Sequence, residues 1–382
     1  MLDQLSSHRL LAVLMLVLAC AWPARLASAF ETPAESAILI DLETHQVLFE
    51  KNADLALPPA SMSKLMTVLM VFERLRAGSL HLDDTLPVSE KAWRKGGSKM
   101  FVEVGKHVTI EDLLRGIIIQ SGNDACIVIA EGLAGTEEAF ATQMTARARE
   151  LGLTNSTLKN ASGWPDPEHL MSARDLAKLA SFLIEQYPEY YGMFSEKEFT
   201  FSEIRQYARN PLLHRVAGVD GLKTGYTEAA GYSLIASALR DGRRLVMVIK
   251  GLETAGQRAR ESERLLEYGF RQFKNYHLYA AEQAVATADV WLGDQVSVPL
   301  VTQQDVVVSL TDEGRRDLRV KVVYEGPIPA PVSSGAPVAH LEIIAPELET
   351  LRVPLVAGGE VQAATLFGRV TSALGYLIWG SG

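Results

Sequence analysis

Cysteine is almost missing from this chain of 382 residues: there are two, Cys20 and Cys126. Cys20 falls in an N-terminal segment expected to be removed, which leaves Cys126 without an internal partner and excludes a disulfide framework. Its neighbours Ala125 and Ile127-Val128-Ile129-Ala130 mark Cys126 as a small buried residue rather than a nucleophile. Histidine is sparse as well. The eight imidazoles are scattered, with no HExxH and no paired-ligand spacing, so no metal is expected. An excess of positive charge is lacking: 37 Lys and Arg stand against 46 Asp and Glu, a net charge of −9. That argues against nucleic acid as a main partner, because phosphate binding needs clustered cations. No low-complexity tract and no internal repeat of ~20–50 residues is evident.

What is present is an ordinary globular balance, 48% hydrophobic and 22% charged, with length enough for two or three domains. Residues 1–29 read as a signal peptide. His8 and Arg9 form a weak polar start, Leu10 to Cys20 is an unbroken apolar run, and Ala27-Ser28-Ala29 fits a small-x-small cleavage site before Phe30. The run is too short to span a bilayer comfortably, which takes ~20 apolar residues.

Along the remainder, Ala37–Asp41 and Val47–Glu50 are expected to form a hairpin. A buried helix is expected from about Ser61 to Leu75, since Leu65, Met66, Val68, Leu69, Met70, Val71 and Phe72 leave it apolar nearly all round. Residues 80–180 look mostly helical. Thr109-to-Asp112 and Ser172-to-Asp175 have capping spacing, and Ser121-Gly122-Asn123 is expected to end a helix. Strands are expected at Val219–Thr224, Tyr232–Leu239 and Arg244–Lys250, with a turn at Gly242, followed by a helix at Ser262–Phe273. This order suggests an α/β arrangement, a sheet flanked by helices beside a helical lobe. Past residues 280–288 short alternating runs punctuated by Pro327, Pro329 and Pro331 predict a small all-β domain. A final stretch, Leu366, Phe367, Val370, Leu374, Leu377 and Ile378, keeps a helical period with Tyr376 and Trp379 nearby.

Three short motifs carry chemistry. Ser61-Met62-Ser63-Lys64 puts a serine and a lysine on one helix face. A serine is a poor nucleophile until a base takes its proton, and a lysine can be that base if burial and a second cation lower its pKa. Alone, the motif also fits an ordinary helix start with a solvated lysine. Ser121-Gly122-Asn123 offers a proton relay and an amide to hold substrate, or simply a helix cap. Lys223-Thr224-Gly225 offers the second cation, a hydroxyl for an anion and a position without a side chain, or an ordinary strand exit.

Taken together, their order and spacing resemble the S-x-x-K, S-x-N and K-T-G set of the serine penicillin-recognising enzymes. Pro59-Ala60-Ser61, Gln120–Cys126, Met171–Asp175 and Val219–Thr227 extend the resemblance to the low-molecular-mass penicillin-binding proteins, the D-alanyl-D-alanine carboxypeptidases. The likeness covers nearly the whole mature chain. It implies a transpeptidase/β-lactamase-like catalytic domain at 30–280, a β-rich domain at 285–362 and an amphipathic membrane-anchoring helix at 363–382. It also implies a serine carboxypeptidase that removes the terminal D-alanine of peptidoglycan stem peptides, is acylated by β-lactams and needs no cofactor. Such an enzyme is exported to the periplasm and sits on the outer face of the inner membrane.

By that resemblance Ser61 is the acylated nucleophile and Lys64 its general base. Ser121 and Lys223 move the proton to the leaving group. The backbone N–H groups of Ser61 and Tyr226 form the oxyanion hole. Asn123, Thr224 and Gly225 contact substrate, and Arg209 and Arg258 lie near its carboxylate. Many relatives have His where Tyr226 stands, so a side-chain part for Tyr226 in deacylation is in doubt. Glu168 is read as a surface residue, since the E-x-x-L-N pattern of β-lactamases is absent. A β-lactamase or crosslink-cleaving endopeptidase shares the motifs. A non-catalytic wall-binding scaffold would not need Ser61, Lys64, Ser121, Asn123 and Lys223 together.

Overall fold

The computed structural model describes residues 30–346 and 348–365. The expected signal segment, and the expected tail from Leu366 onward, lie outside the described residues. The elements below all belong to the compact unit that begins at Ala34.

The chain opens with the hairpin β1 (Ser36–Asp41) and β2 (Val47–Lys51). A single 3-10 turn, Ala60–Ser63, leads into α1 (Lys64–Arg76). Then come α2 (Ile110–Ile118), α3 (Asn123–Ala134), α4 (Glu137–Glu150) and α5 (Ala173–Gln186). Three long strands follow, β3 (Val219–Thr227), β4 (Gly231–Arg240) and β5 (Arg243–Leu252), and then α6 (Ala255–Gln272). The sheet is antiparallel in the order β2-β1-β5-β4-β3, so the last strand of the trio pairs with the first of the chain. Asp241 and Gly242, both at positive φ, make the two-residue turn that matches the twist of β4 and β5.

The sheet is covered on both faces, which explains why β5 reads as a continuous apolar run rather than an alternating one. Ile38, Ile40, Val246 and Val248 join the large core built on α1 to α5. Leu39 and Leu245 point the other way, onto α6, where Gly269 lets them close in: a Cβ there would stand 2.6 Å from Leu39 and 2.7 Å from Leu245. Helix α1 runs through the middle of the large core, with Leu65, Met66, Val68, Leu69, Val71 and Phe72 almost fully buried.

Two local expectations need correction. Ser121-Gly122-Asn123 does not finish a helix; α2 stops at Ile118, and Asn123 is the first residue of α3 with Gly122 at its N-cap. Helix α6 begins at Ala255, seven residues before Ser262, because the Thr254 hydroxyl accepts from the Gln257 N–H. That spacing is a capping box legible in the sequence.

The rest is mainly β-structure, with one short helix at Asp312–Asp317: β6 (Lys274–Tyr279), β7 (Ala284–Trp291), β8 (Ser297–Thr302), β9 (Val306–Leu310), β10 (Arg319–Val323), β11 (Ile328–Pro329), β12 (Pro337–Ala345) and β13 (Leu348–Ala357). Six strands form one sheet in the order β10-β12-β13-β8-β7-β11, and β6 pairs with β9. Strands β6 and β7 had no counterpart among the sequence expectations, since Lys274, Asn275 and His277 break the apolar pattern of the first. Their inner faces close a second core around Val298, Leu300, Val308, Leu341, Ile343 and Leu355.

A buried carboxylate joins the two parts. Asp41 accepts from Arg243 Nε at 2.7 Å, from the Glu43 and Thr44 N–H groups at 3.1 and 3.0 Å, and from Asn275 Nδ2 of β6 at 3.2 Å. Ser309 of β9 donates to Asn275 at 2.6 Å and lies 3.1 Å from the Thr44 hydroxyl. Removing one partner of a buried ion pair strands the other, at a cost of about 3–5 kcal/mol. Asp41→Ala is therefore expected to destabilise the protein by about that amount in urea unfolding, with the loss shared by both parts.

Candidate active site

The site forms where α1, α3 and β3 meet. Ser61 sits in the 3-10 turn, one residue after Ala60, whose φ is +48°. Turn and strand are in close contact at Gly225: a Cβ there would stand 2.9 Å from the Pro59 carbonyl and 3.1 Å from Met62. The missing side chain of Gly225 thus makes room for the turn that carries Ser61. On the opposite side Gly163, at φ +73°, is tighter still, since a Cβ would fall 1.9 Å from the Ala60 carbonyl.

Lys64 is fully buried, and its Nζ meets three oxygens: Ser61 Oγ at 2.8 Å, Asn123 Oδ1 at 2.8 Å and the Ser162 carbonyl at 2.5 Å. Asn123 is held in this sense because its Nδ2 donates to the Gly96 carbonyl at 2.9 Å. Two of the three oxygens can only accept. A neutral amine has two hydrogens and one lone pair, so when both hydrogens serve Asn123 and Ser162 the lone pair is left for the Ser61 hydroxyl. Burial, with Arg209 and Lys95 adding to it, lowers the Lys64 pKa to about 8.

Lys223, also buried, donates to Ser121 Oγ at 2.9 Å. Burial first, and then the nearby Lys64 and Arg209 charges, pull its pKa well below the ordinary lysine value. Ser121 itself is held at φ +67° between α2 and α3. Such a backbone costs about 1–3 kcal/mol and persists only where its surroundings enforce it. Here the Gly122 N–H bonds the Gly116 carbonyl at 2.8 Å and the Asn123 N–H bonds the Ser98 carbonyl at 2.7 Å.

In front of these groups lies an open cleft of about 750 Å³, lined by Ser61, Ser98, Ser121, Asn123, Gly163, Trp164, Arg209, Thr224, Gly225, Tyr226 and Arg258 among others. All ten sequence candidates are therefore at one place, eight on the cleft wall and Lys64 and Lys223 directly behind it. Among the described residues none that lines the cleft is acidic. Arg209 bonds Ser98 Oγ at 2.7 Å, and burial lowers its pKa and that of Arg258. The Arg258 Nε is buried with no hydrogen-bond partner among the described residues, and its guanidinium lies 5.7 Å from the Tyr232 ring. A cleft with two such cations and the Thr224 hydroxyl suits an anionic ligand. Tyr226 is half exposed and stacks on Tyr232 with ring centroids 4.2 Å apart.

Glu168 is a surface residue, as expected, paired with Lys159 at 2.9 Å. Cys126 is fully buried, and burial pushes its thiol up to about 12, so it supplies no thiolate. Sequence reasoning missed two supports. Asp124 accepts from the Met100, Phe101 and Val102 N–H groups at 3.0, 2.9 and 3.3 Å, fixing the loop that carries Ser98. The loop bearing Ser162 is fastened to α1 by Thr67, whose hydroxyl donates to the Ala161 carbonyl at 2.7 Å. Asp124 lies next to Asn123 in sequence and was within reach of inspection; Thr67 gives no local signal.

Comparison with known proteins bears directly on this site. Residues 24–254 match the D-alanyl-D-alanine carboxypeptidase family, and 273–363 match the C-terminal domain of penicillin-binding protein 5. The chain is 38% identical over 345 residues to D-alanyl-D-alanine carboxypeptidase DacC of Escherichia coli strain K12, covering 88% of this chain and 86% of the relative. Penicillin-binding protein 5 of Haemophilus influenzae superposes with a TM-score of 0.80 at 31% identity, over 88% of this chain and 99% of that one. Penicillin-binding protein D2 of Listeria monocytogenes, solved with ampicillin bound, superposes at 0.59 with 31% identity, over 64% and 99% of the two chains.

The tight fit at Gly163 generates a test. Gly163→Ala combines a positive φ, costing about 1–2 kcal/mol, with overpacking worth about 1–3 kcal/mol more. It is expected to lower the thermal midpoint and to slow labelling of the protein by a fluorescent penicillin, because the residue it strikes is Ala60, next to Ser61.

Proposed function

We propose roles for individual residues from one premise: the chain belongs to the D-alanyl-D-alanine carboxypeptidase family and is a serine-type hydrolase of that kind. The enzyme removes the terminal D-alanine from peptidoglycan stem peptides, a step in cell-wall remodelling, and it is a target of penicillins.

In our reading the neutral Lys64 amine takes the Ser61 proton as Oγ attacks the carbonyl of the penultimate D-alanine. The backbone N–H groups of Ser61 and Tyr226 hold the oxyanion that forms. The peptide C–N bond then breaks, and the leaving D-alanine nitrogen receives its proton through Ser121 and Lys223. Water attacks the Ser61 ester, and Oγ regains its proton. Thr224, Arg209 and Arg258 bind the substrate carboxylate, which explains a cleft wall with cations and no carboxylate. The single observation that carries the reading is the set of acceptors around Lys64 Nζ, which directs the amine lone pair at Ser61. A β-lactam acylates the same oxygen by opening its ring amide, but its leaving nitrogen stays attached.

Residues 30–280 do the chemistry in this reading and 285–362 form the β-rich part; the expected helix does not begin at 363, because Ala363 bridges Gly293 and the Ala364 N–H bonds the Leu292 carbonyl at 2.8 Å, so the segment proposed to rest on the outer face of the inner membrane in the periplasm lies beyond the described residues. No helix of the described residues is long and apolar enough to cross a membrane.

Release of D-alanine from a peptide ending in D-Ala-D-Ala is expected from the wild type and not from Ser61→Ala. Since the base must be neutral, acylation is expected to rise with pH through about 8, where Lys64 loses its proton. A pH-independent acylation rate between about pH 6 and 9 would remove Lys64 from the role. A chain ending at Val361 is expected to stay active but to leave the membrane fraction; if it still sediments with membranes, the anchor is elsewhere.

A further inference from the structure

Three lysines are buried in the core of this enzyme, and the mechanism uses two of them. The third, Lys250, lies in β5 after the apolar run Val246–Ile249 and is 1% exposed. A buried ammonium is costly unless something holds it. Here the Nζ donates to the Met171 carbonyl at 2.6 Å and to the Leu57 carbonyl at 3.1 Å. Those two residues also bond each other in a short antiparallel bridge, Met171 N–H to Leu57 at 3.0 Å and Leu57 N–H to Met171 at 3.3 Å. The Glu35 carboxylate is the charged group that acts on this lysine, and burial lowers its pKa to about 7.

The two straps that meet at this bridge lead to the Ser61–Lys64 pair, one to Ser61 and the other to an acceptor for Lys64. From Leu57 the chain passes through Pro58, Pro59 and Ala60 to Ser61. Back from Met171 runs the loop that carries Ser162, an acceptor for Lys64, and Gly163, which abuts Ala60. A methionine or leucine would fill the same space in an apolar strand without the desolvation cost. Only a donor at this point can tie both carbonyls to the central strand of the sheet.

We propose that Lys250 is a positioning residue that sets the Ser61–Lys64 geometry by fastening the nucleophile's strap and the Ser162 loop to β5. The proposal rests on the reading of Ser61 and Lys64 given above. It concerns alignment rather than substrate binding, because Lys250 does not line the cleft.

The test compares wild type, Lys250→Met and Lys250→Gln on a D-Ala-D-Ala peptide, with thermal midpoints measured alongside. Misplacement of reacting groups costs rate rather than ground-state affinity, so kcat of Lys250→Met is expected to fall about tenfold or more with KM within about twofold. Its thermal midpoint is expected to hold, since an apolar side chain replaces a buried polar one of similar volume. Lys250→Gln keeps an N–H donor and is expected to recover part of kcat. The proposal is overturned if kcat of Lys250→Met stays within about twofold of wild type. It is equally overturned if both variants lose kcat equally and in step with their thermal midpoints. Should Lys250→Met not fold, the donor-free Lys250→Leu is read in its place: kcat within about twofold of wild type overturns the proposal, and lowered kcat at unchanged KM supports it. Ser61→Ala run beside them checks the underlying reading on its own: residual D-alanine release there would sink the Ser61 assignment, whatever the Lys250 variants do.

Discussion

A primary amine fully buried among oxygens is the constraint on which the rest of the site depends. Water would solvate Lys64 as an ammonium and leave it inert toward Ser61. Buried, it meets the Ser61, Asn123 and Ser162 oxygens among the described residues, and they come from three separate segments of chain. Each must therefore be fixed by something else. Asn123 is fixed by Gly96 and Ser98, Ser162 by the fastening of its loop to α1, and Ser61 by the close packing of its turn between Gly163 and Gly225. The second buried lysine, on Ser121, is itself pulled down by burial and then by the Lys64 charge, since nearby buried cations disfavour each other.

The architecture around this amine divides the labour plainly. The sheet, packed on both faces, supplies rigidity. The helices supply the apolar wall that keeps Lys64 dry. The loops, which carry most of the polar contacts, are short of regular structure but rich in fixed hydrogen bonds. The β-rich part is attached to the sheet through Asp41, a charge with its counter-ion Arg243 and several N–H donors at once, so the seam is polar, and only Arg243 Nη2 and Gln46 Nε2 are buried there without a partner among the described residues. A joint of that kind is directional, which an apolar seam would not be.

Much of this was legible in the sequence for identifiable reasons. The three motifs that the structure brings to one cleft could be read because the proposed chemistry needs particular atoms: an amine, hydroxyls and an amide are not interchangeable with their neighbours. The sheet strands and α1 could be read because burial on all sides forces uniform hydrophobicity, as in Val246–Ile249 and Leu65–Phe72. What stayed hidden depends on contacts remote in sequence. Gly163 looks like a loop glycine until Ala60 is seen against it. Ser121-Gly122-Asn123 looked like a helix end because Gly and Asn favour C-caps, whereas the Ser98 carbonyl, 25 residues earlier, receives the Asn123 N–H and lets a new helix begin there. Strand β6 was hidden because Lys274, Asn275 and His277 leave no apolar alternation, Asn275 facing the seam while the other two stay exposed.

The one thiol among the described residues has a consequence for where this protein can be made. Cys126 is enclosed, protonated and has no sulfur partner. Every tie between the segments described above is therefore a hydrogen bond, an ion pair or a packing contact, and none is covalent. The fold of these residues is indifferent to thiol redox poise: it gains nothing from an oxidising compartment and loses nothing to glutathione. Dithiothreitol should be a silent additive in its handling, and refolding from denaturant has no cross-link to mispair.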